Sequence, residues 1–161
     1  MKEILKLLER DARLSPEQLA AMTGRPVEEI RDFIRRAEES RIILGYKALV
    51  DWDKVEVEEK KVWALIEVKV QPEREKGFDA IAERISRYPE THSVYLVSGT
   101  YDLAIIAVGR SIQDIASFVS QKLAPLENVR STTTHFLLKK YKESGEILEG
   151  REGEHRLPLS L

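Results

Sequence analysis

Val94-Tyr95-Leu96-Val97-Ser98-Gly99-Thr100-Tyr101-Asp102-Leu103-Ala104-Ile105-Ile106-Ala107-Val108 lies near the middle of this 161-residue chain as two apolar runs around a polar turn. The runs Val94 to Val97 and Leu103 to Val108 are short and apolar, and Gly99 between them permits a tight reversal, so the stretch reads as a β-hairpin. Upstream of it, Phe78, Ile81, Ala82 and Ile85 recur at helical spacing and stop at Tyr88-Pro89. Before them, Val62, Ala64, Ile66, Val68 and Val70 alternate along a strand whose other face carries Trp63 and Leu65. Downstream, Ile112, Ile115, Ala116, Val119 and Leu123 form a second helical stripe that ends at Pro125, and Val129 to Leu138 is a last strand. The order β-α-β-β-α-β predicts a four-stranded antiparallel sheet with both helices on one face, the ferredoxin-like arrangement, over residues 61–141.

The hairpin strands are apolar on both faces. Leu103, Ile105 and Ala107 alternate with Ala104, Ile106 and Val108, as Tyr95 and Val97 do with Val94 and Leu96. Two helices cover one face, whereas an antiparallel sheet with a solvated second face carries polar residues there. The second face therefore needs a cover, most simply a second copy related by a two-fold axis, and an obligate homodimer is expected.

Residues 1–50 read as helices. Ile4, Leu5, Leu8 and Ala12 give an opening amphipathic helix, and Ser15-Pro16-Glu17-Gln18 supplies a capping hydroxyl, a proline at the first helical position and a glutamine three residues after the serine. Leu19, Ala20 and Met22 give this second helix its buried face. Thr23-Gly24-Arg25-Pro26 stops it and starts a third, along which Val27, Ile30, Ile34 and Ala37 share one side. Two helices joined by a four-residue turn containing Gly match a helix-turn-helix, although a plain helical bundle or a protein-docking module needs no more than the same packing. Ile42-Ile43-Leu44-Gly45-Tyr46-Lys47-Ala48-Leu49-Val50 is expected as a following strand, the wing of a winged helix-turn-helix.

The order of these helices, Arg35-Arg36-Ala37-Glu38 near the end of the third and the Ile-x-Gly-Tyr segment together resemble the DNA-binding half of the leucine-responsive and asparagine regulator (Lrp/AsnC, feast/famine) transcription factors. Gly99-Thr100-Tyr101-Asp102 fits that family's Gly-x-aromatic-Asp hairpin, and Val129-Arg130-Ser131-Thr132-Thr133-Thr134 leads into the last strand, so the resemblance covers residues 1 to about 141. It implies a DNA-binding transcriptional regulator whose second domain senses an amino acid or a related small metabolite and controls assembly, as a dimer growing to a tetramer or octamer, and DNA binding. It also implies a pocket between subunits. There the Gly99 turn and Val97 would offer backbone donors to a carboxylate, Thr100 and Tyr101 would flank them, and Asp102 would receive an ammonium. Thr132, Thr134, His135 and Phe136 would come from the last strand.

The DNA-reading half departs from the family. Where the recognition helix usually offers Ser, Thr and Arg, this chain has Pro26, Glu28 and Phe33. Glu28, Glu29 and Asp32 put carboxylates where phosphates repel them, although a Glu can accept from cytosine N4. The DNA-contacting candidates are Arg25, Glu28, Arg31, Asp32, Arg35 and Arg36, with Arg35 and Arg36 alternatively pairing with Glu39 and Asp32 along the helix. The competing functional reading is a metabolite-binding oligomer whose acidic N-terminal helices no longer read DNA.

Composition narrows the remaining classes. With 26 Lys and Arg against 28 Asp and Glu the formal net charge is −2, so no global positive field draws the chain onto nucleic acid and any DNA contact is local. Residues 1–50 hold ten basic and nine acidic side chains, whereas residues 51–60 hold five acids and two bases, which sets the expected boundary at Asp51 and an acidic linker over 51–60. The absence of cysteine removes disulfides and thiolate metal sites and suits a cytoplasmic protein, and His92, His135 and His155 are too scattered for a metal motif. No apolar run approaches the ~18 residues of a membrane span, and no phosphate loop, nucleophile elbow or paired-carboxylate spacing supplies catalytic residues. No cofactor, metal or enzymatic activity is therefore expected. Residues 142–161 read as a polar tail.

Overall fold

The computed structural model describes residues 1–56, 60–71 and 77–148. The chain divides into two compact units, Met1–Val50 and Asp51–Leu161.

In the first unit α1 spans Lys2–Arg10, α2 Pro16–Thr23 and α3 Val27–Glu39. The start of α2 is a complete capping box: the Gln18 amide donates to Ser15 Oγ at 3.2 Å and the Ser15 amide donates to Gln18 Oε1 at 2.8 Å. Gly24 ends α2 in the left-handed region at φ 67°, where a side chain is disfavoured, and its amide donates to the Ala20 carbonyl. Ile4, Leu8, Leu19, Ala20 and Ile30 form the core, with Leu7, Leu14, Val27, Phe33, Ile34 and Ile43 packed against it.

Three expectations for this unit are corrected. Ala12 lies beyond the end of α1 and is exposed, because the helix stops at Arg10. Met22, expected on the buried face of α2, stands 56% exposed. Residues 42–50 enter no ladder among the described residues, since a strand needs a neighbour for its N–H and C=O groups and this chain supplies none there. Instead the Ile43 amide donates to the Ala37 carbonyl, the Tyr46 hydroxyl donates to Glu38 Oε1 at 2.8 Å, and Ile42, Leu44, Leu49 and Val50 are exposed.

The second unit opens with a 3₁₀ turn, Trp52–Lys54, inside the expected linker. Its sheet comprises β1 (Val62–Val70), β2 (Thr91–Leu96), β3 (Leu103–Gly109) and β4 (Val129–Phe136), in the order β2-β3-β1-β4 with every pairing antiparallel. α4 (Asp79–Ser86) and α5 (Ile112–Phe118) pack on one face, where Ala64, Ile66, Val68, Leu103, Ile105 and Ala107 meet Ile81, Ile85, Ile115 and Phe118. This is the ferredoxin-like arrangement.

The second helical stripe differs from its expected register. Ile112 and Ala116 are exposed while Phe118, one turn after Ile115, is buried; α5 then passes into a π-helical turn, Val119–Leu123, closed by the Ala124 amide donating to the Val119 carbonyl. The wider turn brings Leu123 back to the core. Part of the expected tail is also ordered: β5 (Lys142–Glu143) and β6 (Glu146–Ile147) form a small hairpin, and the Leu148 amide donates to the Tyr141 carbonyl. Residues 57–59 of the expected linker, and 149–161 of the tail with His155, lie outside the described residues.

Candidate functional site

The Gly99 turn joins β2 to β3. The Val97 amide donates to the Asp102 carbonyl at 2.9 Å and closes the hairpin. Between them, the amides of Ser98, Gly99, Thr100 and Tyr101 have no intramolecular acceptor among the described residues, so four successive backbone donors sit at one tip. Gly99 has φ 153°, a conformation L side chains rarely adopt, and a Cβ there would meet nothing within 4 Å. The tip is therefore open, and glycine is required by the backbone and not by crowding.

Asp102 ties this turn to β1 twice. Its amide donates to the Val68 carbonyl at 3.0 Å, and its carboxylate Oδ2 accepts from the Val70 amide at 2.8 Å. The family resemblance assigns the carboxylate to an effector's ammonium; the Val70 partner is a backbone donor 32 residues away, which leaves no trace in side-chain spacing.

The other expected effector residues separate by face. Thr132, Thr134 and Phe136 pair with Val68, Ile66 and Ala64 and so point to the helix-covered side of the edge strand β4, half-buried. His135 pairs with Leu65 and points to the opposite face, where its Nε2 lies 3.4 Å from Glu67 Oε1. Thr132 stands level with the turn, through Val68, at roughly two strand spacings or ~10 Å, whereas Phe136 is four residues further along, about 13 Å away. Within one chain the turn and Thr132 thus share one end of the sheet, and His135 and Phe136 do not join them.

The face opposite the helices carries Trp63, Leu65 and Glu67 of β1, Tyr95 of β2, and Ala104, Ile106 and Val108 of β3. Tyr95 is 55% exposed. Trp63 is partly covered from within, by the His92 ring edge-on at 4.9 Å and by Lys140 Nζ 4.0 Å from its ring centre. A separate cleft of about 530 Å³ lies at the other end of the sheet, lined by Lys61, Glu90, Arg110, Asp114, Phe118 and Lys122 among others, and shares no residue with the turn.

Arg25, just before α3, and Arg31 and Arg35 within it are engaged by carboxylates. Arg25 pairs with Glu29 at 2.7 Å; Arg31 pairs with Glu28 at 2.9 Å and with Glu17 of α2; Arg35 pairs with Asp32 at 3.0 Å and Glu39 at 3.3 Å. Arg36 donates through Nε to the Asp32 carbonyl and has no carboxylate partner among the described residues. The paired carboxylates raise the Arg31 and Arg35 guanidiniums above their ordinary range, first through the hydrogen bonds to Glu17 and Asp32. Glu17 is held below the usual carboxylate range by its own amide, then the Ser15 hydroxyl, then Arg31. Spacing along α3 forecast the Arg35–Glu39 pair, whereas the Asp32 carboxylate is taken by Arg35 and not by Arg36; the Glu17 partner comes from another helix and could not be read that way. Phe33 packs against the core, while Glu28 is 82% exposed.

A helix-turn-helix and a ferredoxin-like unit with a donor-lined turn fit a ligand-responsive transcriptional regulator. Residues 63–147 match the Lrp/AsnC ligand binding domain. Over 158 residues, 98% of this chain and 95% of the relative, the sequence is 47% identical to the uncharacterized HTH-type transcriptional regulator YugG of Bacillus subtilis. The fold is similar to that of MtbAldR (Rv2779c), at a TM-score of 0.72 and 24% identity over 88% of this chain and 93% of that one. It is also similar to the transcriptional regulator NMB0573/L-Met complex from Neisseria meningitidis, at a TM-score of 0.62 and 22% identity over 87% and 88%. The chain belongs to the Lrp/AsnC family of HTH-type transcriptional regulators, which bind DNA and small-molecule effectors and are not enzymes. No helix among the described residues is long and apolar enough to cross a membrane.

Proposed function

We propose that this regulator senses an amino acid, or a related small zwitterion, at the Gly99 turn of an assembled oligomer and changes its DNA binding in response. The observation that carries the reading is the run of four open amides at residues 98–101, a concentration of donors suited to a carboxylate. An L-Met complex of a protein with the same fold supports the ligand class. Thr132 completes the site from the same chain, and a second copy lying on the open sheet face, against Tyr95, Ile106 and Val108, brings further groups. His135 and Phe136 contribute only through that neighbour. Dimers joining into tetramers or octamers then set the distance between helix-turn-helix units, which must match half-sites one or more helical turns apart. Arg25, Arg31, Arg35 and Arg36 neutralise phosphates, and Glu28 and Asp32 are the acceptors available to base edges.

Sedimentation at micromolar protein tests the assembly: a concentration-independent monomer refutes it. The carboxylate pairing on α3 favours a second reading, in which the chain binds its metabolite but no longer reads DNA sequence. Capture of genomic fragments at low salt separates the two, since the second reading retains none while an amino acid still raises the melting midpoint.

A further inference from the structure

We infer that Asp102 is a positioning residue, which holds the Gly99 turn in its donor-presenting shape through the Val70 amide and does not serve as the ionic partner of an effector's ammonium. The inference rests on the reading that the effector binds this turn, and it changes which group does what there.

The ladder between β1 and β3 ends at Val68 opposite Leu103. Two residues on lies the amide of Val70, a 6% exposed residue, beside an irregularity in the pairing with β4 between Lys69 and Val70. Asp102 is the last residue before β3, and the chain preceding it belongs to the turn back to β2. Its side chain accepts from the Val70 amide at 2.8 Å, so the carboxylate takes the part that a backbone carbonyl plays elsewhere in a ladder. Together with the amide donated to Val68 and the carbonyl accepting from Val97, Asp102 uses three of its polar groups on the fold at the root of the turn. An ammonium at Oδ2 would have to share that oxygen with the Val70 amide.

This role needs an acceptor of the right shape, not a charge. Asp102→Asn keeps an oxygen in the same place, whereas Asp102→Ala removes it. An ionic partner of an ammonium shows the opposite pattern, since Asn discards the charge as completely as Ala does.

The test uses the full chain as wild type, Asp102→Asn and Asp102→Ala, with amide hydrogen exchange at Val70 and residues 97–102 and thermal-shift titration against each of the twenty amino acids. Asp102→Asn is expected to keep Val70 protected and to bind within about threefold of wild type. Asp102→Ala is expected to exchange at Val70 at least about tenfold faster and to lose at least about tenfold in affinity, the scale of one lost hydrogen bond. Loss of binding in Asp102→Asn with Val70 still protected makes Asp102 the ammonium ligand and overturns the inference, as does unchanged Val70 exchange in Asp102→Ala. If no amino acid shifts the wild-type chain, the effector reading has failed by itself. The exchange rates then decide the placement of Asp102 alone: slow in Asn and fast in Ala upholds it, and any other pattern refutes it.

Discussion

Arg31 is held from two sides, by Glu28 in its own helix and by Glu17 from α2, and must leave both to reach a phosphate. Releasing it should be measurable as a change in salt dependence. Each phosphate neutralised steepens the log–log slope of affinity against salt by ~0.9, so between about 50 and 200 mM salt each contact costs a factor of about 3.5. Replacing Glu17 and Glu28 together by Gln frees one guanidinium and predicts a slope steeper by about one contact, with severalfold tighter binding at the low-salt end. Fluorescence anisotropy with a labelled duplex from the gene's own upstream region reads both quantities. The same pair of substitutions in an Arg31→Ala background controls for bulk charge, and there the slope should stay where Arg31→Ala alone puts it. A double variant whose slope equals wild type, or one that steepens equally without Arg31, refutes the reasoning.

Gly99→Ala places a side chain at φ 153° with open space around it, so its cost is backbone strain of about 1–3 kcal/mol, visible in calorimetry; an unchanged midpoint contradicts the geometry. Lys122 reaches from the π-helical turn to Glu90 Oε1, while Glu90 Oε2 and Thr91 Oγ1 are buried without a hydrogen-bond partner among the described residues. Lys122→Met should therefore cost about 1–2 kcal/mol in denaturant unfolding, and adding Glu90→Gln should recover part of it; a neutral Lys122→Met sinks this account. Asp11, through its hydrogen bond from Arg13, and Glu17 are held below the usual carboxylate range, so the folded state binds fewer protons than the unfolded. Their contribution is present above the ordinary carboxylate value of about 4 and fades as pH falls through the lowered values. Asp11→Asn with Glu17→Gln should make the acid loss of helix protection in α1–α3 shallower, and an identical pH profile is the opposing result.

The βαββαβ order was legible because its signals are local: alternation of apolar residues along β1, Gly99 between two apolar runs, and prolines closing the helical stripes. Where local signals failed, a tertiary cause is identifiable. On the last helix Phe118, one turn after Ile115, is buried while Ile112 at its start is exposed, and the π-helical turn that follows carries Leu123 to the core. Residues 42–50 have the composition of a strand, but pairing depends on a neighbour that composition does not reveal. Within the site, the turn itself could be read from Gly99 and Asp102. The Val70 amide that holds Asp102 could not, nor could the division of Thr132 and His135 between faces, which follows from the register of β4 on β1.

The most direct test of effector control is one titration. Each of the twenty amino acids is added to the full chain at saturating concentration while the melting midpoint is recorded, and any that binds is added to a DNA-retention assay at fixed salt. A ligand at about a hundred times its Kd stabilises the native chain by about 2.7 kcal/mol, well within detection. The account predicts at least one amino acid that raises the midpoint and changes the DNA retained. An amino acid that binds yet leaves retention untouched, or a set of twenty in which none binds, contradicts it.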